Sequence, residues 1–189
     1  MRKLTLTPAL FIWLAIIAIT AGLLYLSGRS LICPCGTIEF YDLNRAVGQD
    51  SQHFLDIYSF THVLHGILIY FLVWLVGRGR VPFLPGLLIA TVIEGGWELF
   101  ENSQYIIDRY KDTAAAQLYN GDSVINAVGD IIIMSVGFLL AARLPVWMSI
   151  AVLIGVEIVL ALLIRDNLTL SFLSLVHPVE AVSQWQEGG

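Results

Sequence analysis

Two histidines and a ladder of carboxylates are the residues of this chain best suited to chemistry. His62 and His65 are three residues apart, and Glu94, Glu98 and Glu101 follow at spacings of four and three. Asp122, Asn126 and Asp130 recur every four residues further on. On helices each set falls along one face. Imidazole and carboxylate together suit one divalent metal ion, with zinc, iron or manganese favoured over calcium. A metal held that way activates water or polarises a phosphoryl or carbonyl oxygen. His62, His65 and Glu98 are therefore the expected ligands, with Glu101 and Asp122 as candidates to complete the site. Glu94 and Asp130 are the expected catalytic residues, because desolvated carboxyl groups are suited to proton transfer. Asn102, Asn126 and Arg109 are the substrate-binding candidates, Arg109 as a partner for an anionic head group.

Each of these residues also has a plainer use. Asp122 is equally suited to cap a helix, and Glu101 and Asn102 to sit at a solvated helix end. Glu94, Glu98 and Asp130 could simply tie helices together.

The surrounding sequence is strongly apolar. The 189 residues are 57% hydrophobic and 13% charged, with a mean hydropathy of +0.78, whereas soluble domains carry roughly 25% charged residues. Apolar runs near 8–26, 60–76, 83–101, 123–142 and 146–164 each approach the ~20 residues of a membrane-spanning helix. The expected architecture is an all-α integral membrane bundle of about five spans, forming one domain over 1–189. An outer loop (27–59), an interfacial segment (103–121) and a tail (165–189) complete it. In that tail, Pro178 is placed to start a short helix through Trp185.

Arg2 and Lys3 precede the first run, Arg78 and Arg80 join the second to the third, and Arg143 separates the fourth from the fifth. The positive-inside rule then puts the N-terminus in the cytoplasm and the C-terminus outside. The first run reads as a retained anchor rather than a signal peptide, since it exceeds a usual h-region and no A-x-A-like site follows it. Cys33 and Cys35 lie on the outer side, where disulfides are permitted. A bridge across the single Pro34 is not favoured on geometric grounds, and two cysteines are too few for a structural zinc site. No nucleotide loop, nucleophile elbow or nucleic-acid patch occurs.

With ~1.5 Å of rise per residue, this topology places His62, Glu101 and Asp122 near the outer boundary. His65, Glu98 and Asn126 come out one layer deeper, and Glu94, Asp130 and Glu157 deeper again. The result is a polar funnel open to the outside. Glu94, Glu98, Asp130 and Glu157, ionised and unpaired, would together cost about 10–14 kcal/mol, and no Lys or Arg lies inside a span to meet them. Ser59 is the expected N-cap of the second span, and Gly129, Gly137 and Ala141 are small residues that permit close helix approach.

Several stretches resemble a family of small, uncharacterised multi-pass inner-membrane proteins of proteobacteria. They include Asp50-Ser51-Gln52-His53, Ser59-Phe60-Thr61-His62-Val63-Leu64-His65-Gly66, Gly96-Trp97-Glu98-Leu99-Phe100-Glu101-Asn102, Tyr119-Asn120-Gly121-Asp122-Ser123 and Arg165-Asp166-Asn167-Leu168. The resemblance implies a multi-pass membrane protein and assigns no activity. More loosely, a histidine on one span with acids on the next two is similar to VanZ-like membrane proteins. Three functions remain open on these residues: a metal-dependent enzyme acting on a lipid or lipid-linked molecule, a small cation- or proton-handling carrier, and an assembly subunit whose polar face meets a partner.

Overall fold

A computed structural model describes residues 4–42 and 50–188, and within them all regular structure is helical. Arg2 and Lys3, used above for orientation, lie outside the described residues. Five helices are long and apolar enough to cross a membrane: α1 (Leu6–Leu26), α2 (Ser59–Val76), α3 (Phe83–Glu101), α5 (Val124–Arg143) and α6 (Val146–Ile164). Three short ones, α4 (Gln104–Lys111), α7 (Leu168–Val176) and α8 (Glu180–Glu187), gather at the end of the bundle where α2 and α5 begin. Pro82 and Pro145 stand at the N-caps of α3 and α6, where a missing N–H costs no helical hydrogen bond. The long helices leave large apolar side chains exposed, among them Phe11, Leu72, Ile154 and Leu162. Such faces are compatible with a lipid environment.

The two helices that carry the chemistry-bearing faces opposite α3 are α2 and α5, and their packing is the most extensive in the molecule. They run parallel and touch backbone to backbone. A Cβ at Gly66 would collide with the carbonyl of Met134, and one at Gly137 with the carbonyl of Val63. Small residues here let the axes approach where larger ones would hold them apart. Below this crossing lies a dry cluster of Ile69, Ala90, Met134 and Phe138. α1 packs on α3, with Thr20 against Gly95, and its Trp13 indole donates to Ser135 Oγ of α5 at 3.1 Å.

The crossing fixes an offset that the sequence did not reveal. Val63 and Gly66 sit 4 to 7 residues into α2 but face positions 10 to 14 residues into α5. α2 therefore starts roughly 10 Å further down the bundle. The chain between them makes up the difference by descending along α5. Ser51 O accepts from Ser123 N (2.9 Å), Gln52 O from Ser123 Oγ (2.9 Å), and His53 O from Asn126 Nδ2 (2.8 Å). Phe54 then lies against Gly129. The carbonyls of Ser51, Gln52 and His53 thus each find a partner on Ser123 or Asn126, which helps to permit irregular chain at that depth.

Two caps differ from expectation. The free N–H groups at the start of α2 go to Asp56, whose Oδ1 accepts from Tyr58 N (2.8 Å) and Ser59 N (3.1 Å). Ser59 Oγ instead accepts from Asp56 N at 3.1 Å, so the two residues cap each other. Burial pushes the Asp56 carboxyl above the usual range, against the pull of these backbone donors. Ser123, not Asp122, caps α5, taking Asn126 N at 3.2 Å.

Cys33 and Cys35 are joined by a disulfide, contrary to the reading from their spacing; the backbone around Pro34 turns enough to bring the sulfurs together. α8 matches the helix expected near Trp185, whereas α7 was not foreseen. Its N-terminus is held by Glu157 of α6, whose two oxygens accept from Leu168 N (3.1 Å) and Thr169 N (3.2 Å). That settles the place of Glu157: it anchors the tail and does not join the other acids.

Gly137→Val should drive α2 and α5 apart, at a cost of at least about 2 kcal/mol. Gly155→Ala, with open space around its Cβ, should be neutral. Thermal denaturation of both variants in the same detergent checks this.

Candidate functional site

Sinking α2 by this offset brings His62 level with the deepest acids. Its Nδ1 lies 2.6 Å from Glu94 Oε1, and its Nε2 lies 3.7 Å from Asp130 Oδ2. His65 Nδ1 is 3.0 Å and 3.2 Å from the two oxygens of the same Glu94. Where Nδ1 donates to the shared Glu94 carboxylate, Nε2 is the nitrogen each ring has left for another partner. This is how a carboxylate sets the tautomer and orientation of a metal-binding histidine.

Glu98 is one turn nearer the mouth on α3. It is 0% exposed, and neither of its oxygens accepts a hydrogen bond. His62 Nδ1 lies 3.6 Å from Glu98 Oε1, beyond hydrogen-bonding range and already committed to Glu94. Asp130 Oδ1 is likewise buried without a partner. Single donor atoms of His62, Glu98 and Asp130 all come within 4.8 Å of one another. The same holds for His62, His65 and Glu94, and for Glu98, Glu101 and Asp122.

Glu101 and Asp122 form the upper rank and are held from outside. The Tyr110 hydroxyl donates to Glu101 Oε1 at 3.1 Å, and the Tyr119 hydroxyl to Asp122 Oδ1 at 2.9 Å. Burial raises both phenols, Tyr110 further because Glu101 is adjacent and Tyr119 because Asp122 is. Both therefore stay protonated and act only as donors. Asn102 Nδ2 donates to Asp122 Oδ2 at 2.6 Å, and Asn102 Oδ1 accepts from Asp122 N at 2.7 Å. Burial raises the Asp122 carboxyl, while the bonds from Asn102 and Tyr119 oppose the rise.

All seven residues expected as ligands or catalytic groups thus belong to one cluster, with Glu94 and His65 paired at its base. The three expected substrate-binding residues are placed otherwise. Asn102 braces Asp122. Asn126 is fully buried and holds the carbonyl of His53. Arg109 spends its guanidinium on the carbonyl of Leu175 in α7.

Above the cluster is a cavity of about 390 Å³, lined by His62, His65, Glu101, Asp122 and Asp130 and roofed by residues 113–119 with parts of α7 and α8. Trp97 forms one wall and meets the His65 ring edge-on at 5.6 Å. No Lys or Arg among the described residues lines it. The basic side chains nearby are occupied elsewhere: Arg29 on Asn120 O, Lys111 on Asn120 Oδ1 and Arg165 on Trp185 O.

The sequence reading missed the roof, with Tyr110, Tyr119, Asp166 and Gln186. A signal for Tyr119 was present in the Asn120-Gly121 pair, where Gly121 takes a positive φ of 84° and Tyr119 reaches Asp122. Asp166 and Gln186 meet only because α7 and α8 fold over the mouth. Asp166 Oδ2 accepts from Ser171 Oγ (2.8 Å) and its Oδ1 from Gln186 Nε2 (3.1 Å).

A match to the family model described as a protein of unknown function, DUF2585, runs from residue 24 to residue 188. The chain belongs to this family. Proteins named UPF0314 are similar throughout. One from Sphingopyxis alaskensis is 44% identical over 175 residues, covering 93% of each chain. One from Agrobacterium fabrum is 44% identical over 164 residues, covering 87% of this chain and 82% of its own. One from Rhizobium etli is 46% identical over 164 residues, covering 87% of this chain and 84% of its own. No solved structure matches. The DUF2585 match takes in the whole cluster and its roof, and leaves out most of α1.

Burial pushes the Asp166 carboxyl up to about 6, above its value in an unfolded chain, about 3.9. The folded state then binds more protons than the unfolded state between those values, so stability falls as pH rises from about 4 to about 6. Asp166→Asn should flatten that part of the curve, as read by melting temperature against pH.

Proposed function

We propose that this DUF2585 protein is a membrane-embedded, metal-dependent enzyme acting on a lipid or lipid-linked molecule. The observation that carries the reading is Glu98: fully buried, without a hydrogen bond on either oxygen, and set among further acids with no Lys or Arg of the described residues lining the cavity above it. A divalent cation supplies the missing charge, and the mixed nitrogen and oxygen donors suit zinc, iron or manganese.

In this reading His62 Nε2, Glu98 and Asp130 hold the metal, and Glu94 orients both imidazoles. The metal polarises a phosphoryl or carbonyl oxygen or activates water. His65, held by Glu94 and lining the cavity, moves the proton. Trp97 and the roof exclude water and receive the apolar part of the substrate. Arg78, Arg80 and Arg143 lie at the opposite end of the bundle, so the cavity opens toward the periplasm of an inner membrane by the positive-inside rule.

Elemental analysis of the detergent-purified chain should find stoichiometric metal, and Glu98→Gln should lose most of it. His65→Ala should keep the metal and lower turnover of a lipid extract by about 10²–10⁴-fold. A wild-type chain that carries no metal and gains none on reconstitution would sink the enzyme reading. Metal binding with no turnover of any lipid fraction would leave a cation-handling protein instead.

A further inference from the structure

The charges of the cluster do not close with one cation. Glu94 is already engaged by hydrogen bonds to the two histidines that share it. Glu98, Glu101, Asp122 and Asp130 remain, four carboxylates inside one connected set of donors. One divalent ion neutralises half of that charge.

The geometry divides the donors into two groups. His62, Glu98 and Asp130 form one, and Glu98, Glu101 and Asp122 form the other. Glu98 is common to both, and it is the carboxylate whose two oxygens are both free of hydrogen bonds at 0% exposure. A carboxylate that gives one oxygen to each of two ions needs both oxygens unencumbered. By contrast, Glu101 and Asp122 are each braced by a tyrosine, and Asp122 also by Asn102. Such outer donors orient a ligating carboxylate and leave it lone pairs for a metal.

We propose that the cluster is a two-cation centre bridged by Glu98. This rests on the metal-dependent reading above and extends it by a second ion. The lower ion takes His62, Glu98 and Asp130. The upper ion takes Glu98, Glu101 and Asp122, an all-oxygen set that selects a hard divalent cation such as manganese or magnesium. Two such ions on one carboxylate lie about 3.5–4 Å apart and cancel the charge of the four acids.

Manganese serves as the probe. The full-length protein in detergent is stripped with chelator, reloaded with Mn²⁺, and read by metal content and electron paramagnetic resonance. The expected result is about two Mn²⁺ per chain with an exchange-coupled spectrum. Glu101→Gln, which keeps an oxygen to accept from Tyr110, should retain the lower ion alone, halving the metal content and giving an uncoupled spectrum. One Mn²⁺ per chain in the wild type overturns the second site while the metal-dependent reading stands. Two ions with no exchange coupling overturn the bridge. No bound Mn²⁺, zinc or iron overturns both readings. The wild-type spectrum decides the matter even if a variant fails to fold.

Discussion

A carboxyl group sealed in an apolar bundle without a hydrogen bond must either hold its proton or be met by charge, and Glu98 is such a group. Placing one ionised acid at the centre of a span costs on the order of 3 kcal/mol, and Glu98 has Asp130, Glu101 and Asp122 for neighbours. Among the described residues the histidines and basic side chains at this end are already engaged. Both imidazoles are turned toward Glu94, and the basic side chains at this end hold backbone or amide oxygens. What remains is protonation of the acids or, on the reading proposed above, a cation from solution. The tyrosines and Asn102 that position the upper acids then make sense as a frame built for it.

That frame depends on how far α2 is sunk into the bundle. The contact between Gly66 and Gly137 sets the offset, and residues 51–58 fill the depth it creates. Asn126, Ser123 and Gln52 are polar residues on or beside this path, and their work is to satisfy peptide groups. Without the descending segment, His62 would sit level with Glu101, and Glu94 would have no imidazole within reach. The site is thus a consequence of backbone packing between α2 and α5 just below His62 and Asp130.

Much of this was legible in the sequence because membrane helices announce themselves by composition, and because spacings of three and four put the histidines and acids on definite faces. The gathering of His62, His65, Glu94, Glu98 and Asp130 followed from those faces. Their vertical order did not. Depth was counted from helix ends, and a count of that kind misses an offset produced by an irregular segment between helices. Polar residues were also read as facing the site when several face the backbone. Asn126 recurs in register with Asp122 and Asp130, yet its amide holds a loop carbonyl, and periodicity alone does not separate those uses. Arg109 looked like an anion binder because it is basic and near the mouth, but the unforeseen α7 offers its terminal carbonyls to that guanidinium.

The shape of the polar region also bears on which function it serves. A carrier needs polar groups along a path from one side of the membrane to the other. Here the cluster ends at Glu94, and directly beneath the α2–α5 crossing come Ile69, Ala90, Met134 and Phe138, packed against Tyr70, Val73 and Leu87. An ion moving further would have to shed its ligands into an apolar core. At the other end, the cavity is closed by the lightest parts of the fold: two short helices, the 113–119 segment, and side-chain bonds from Asp166 and Glu157. Such elements open at low cost. An apolar floor beneath a roof built of short elements is the arrangement of a site entered and left from one side. That favours chemistry on a molecule arriving from that face over passage through the bundle.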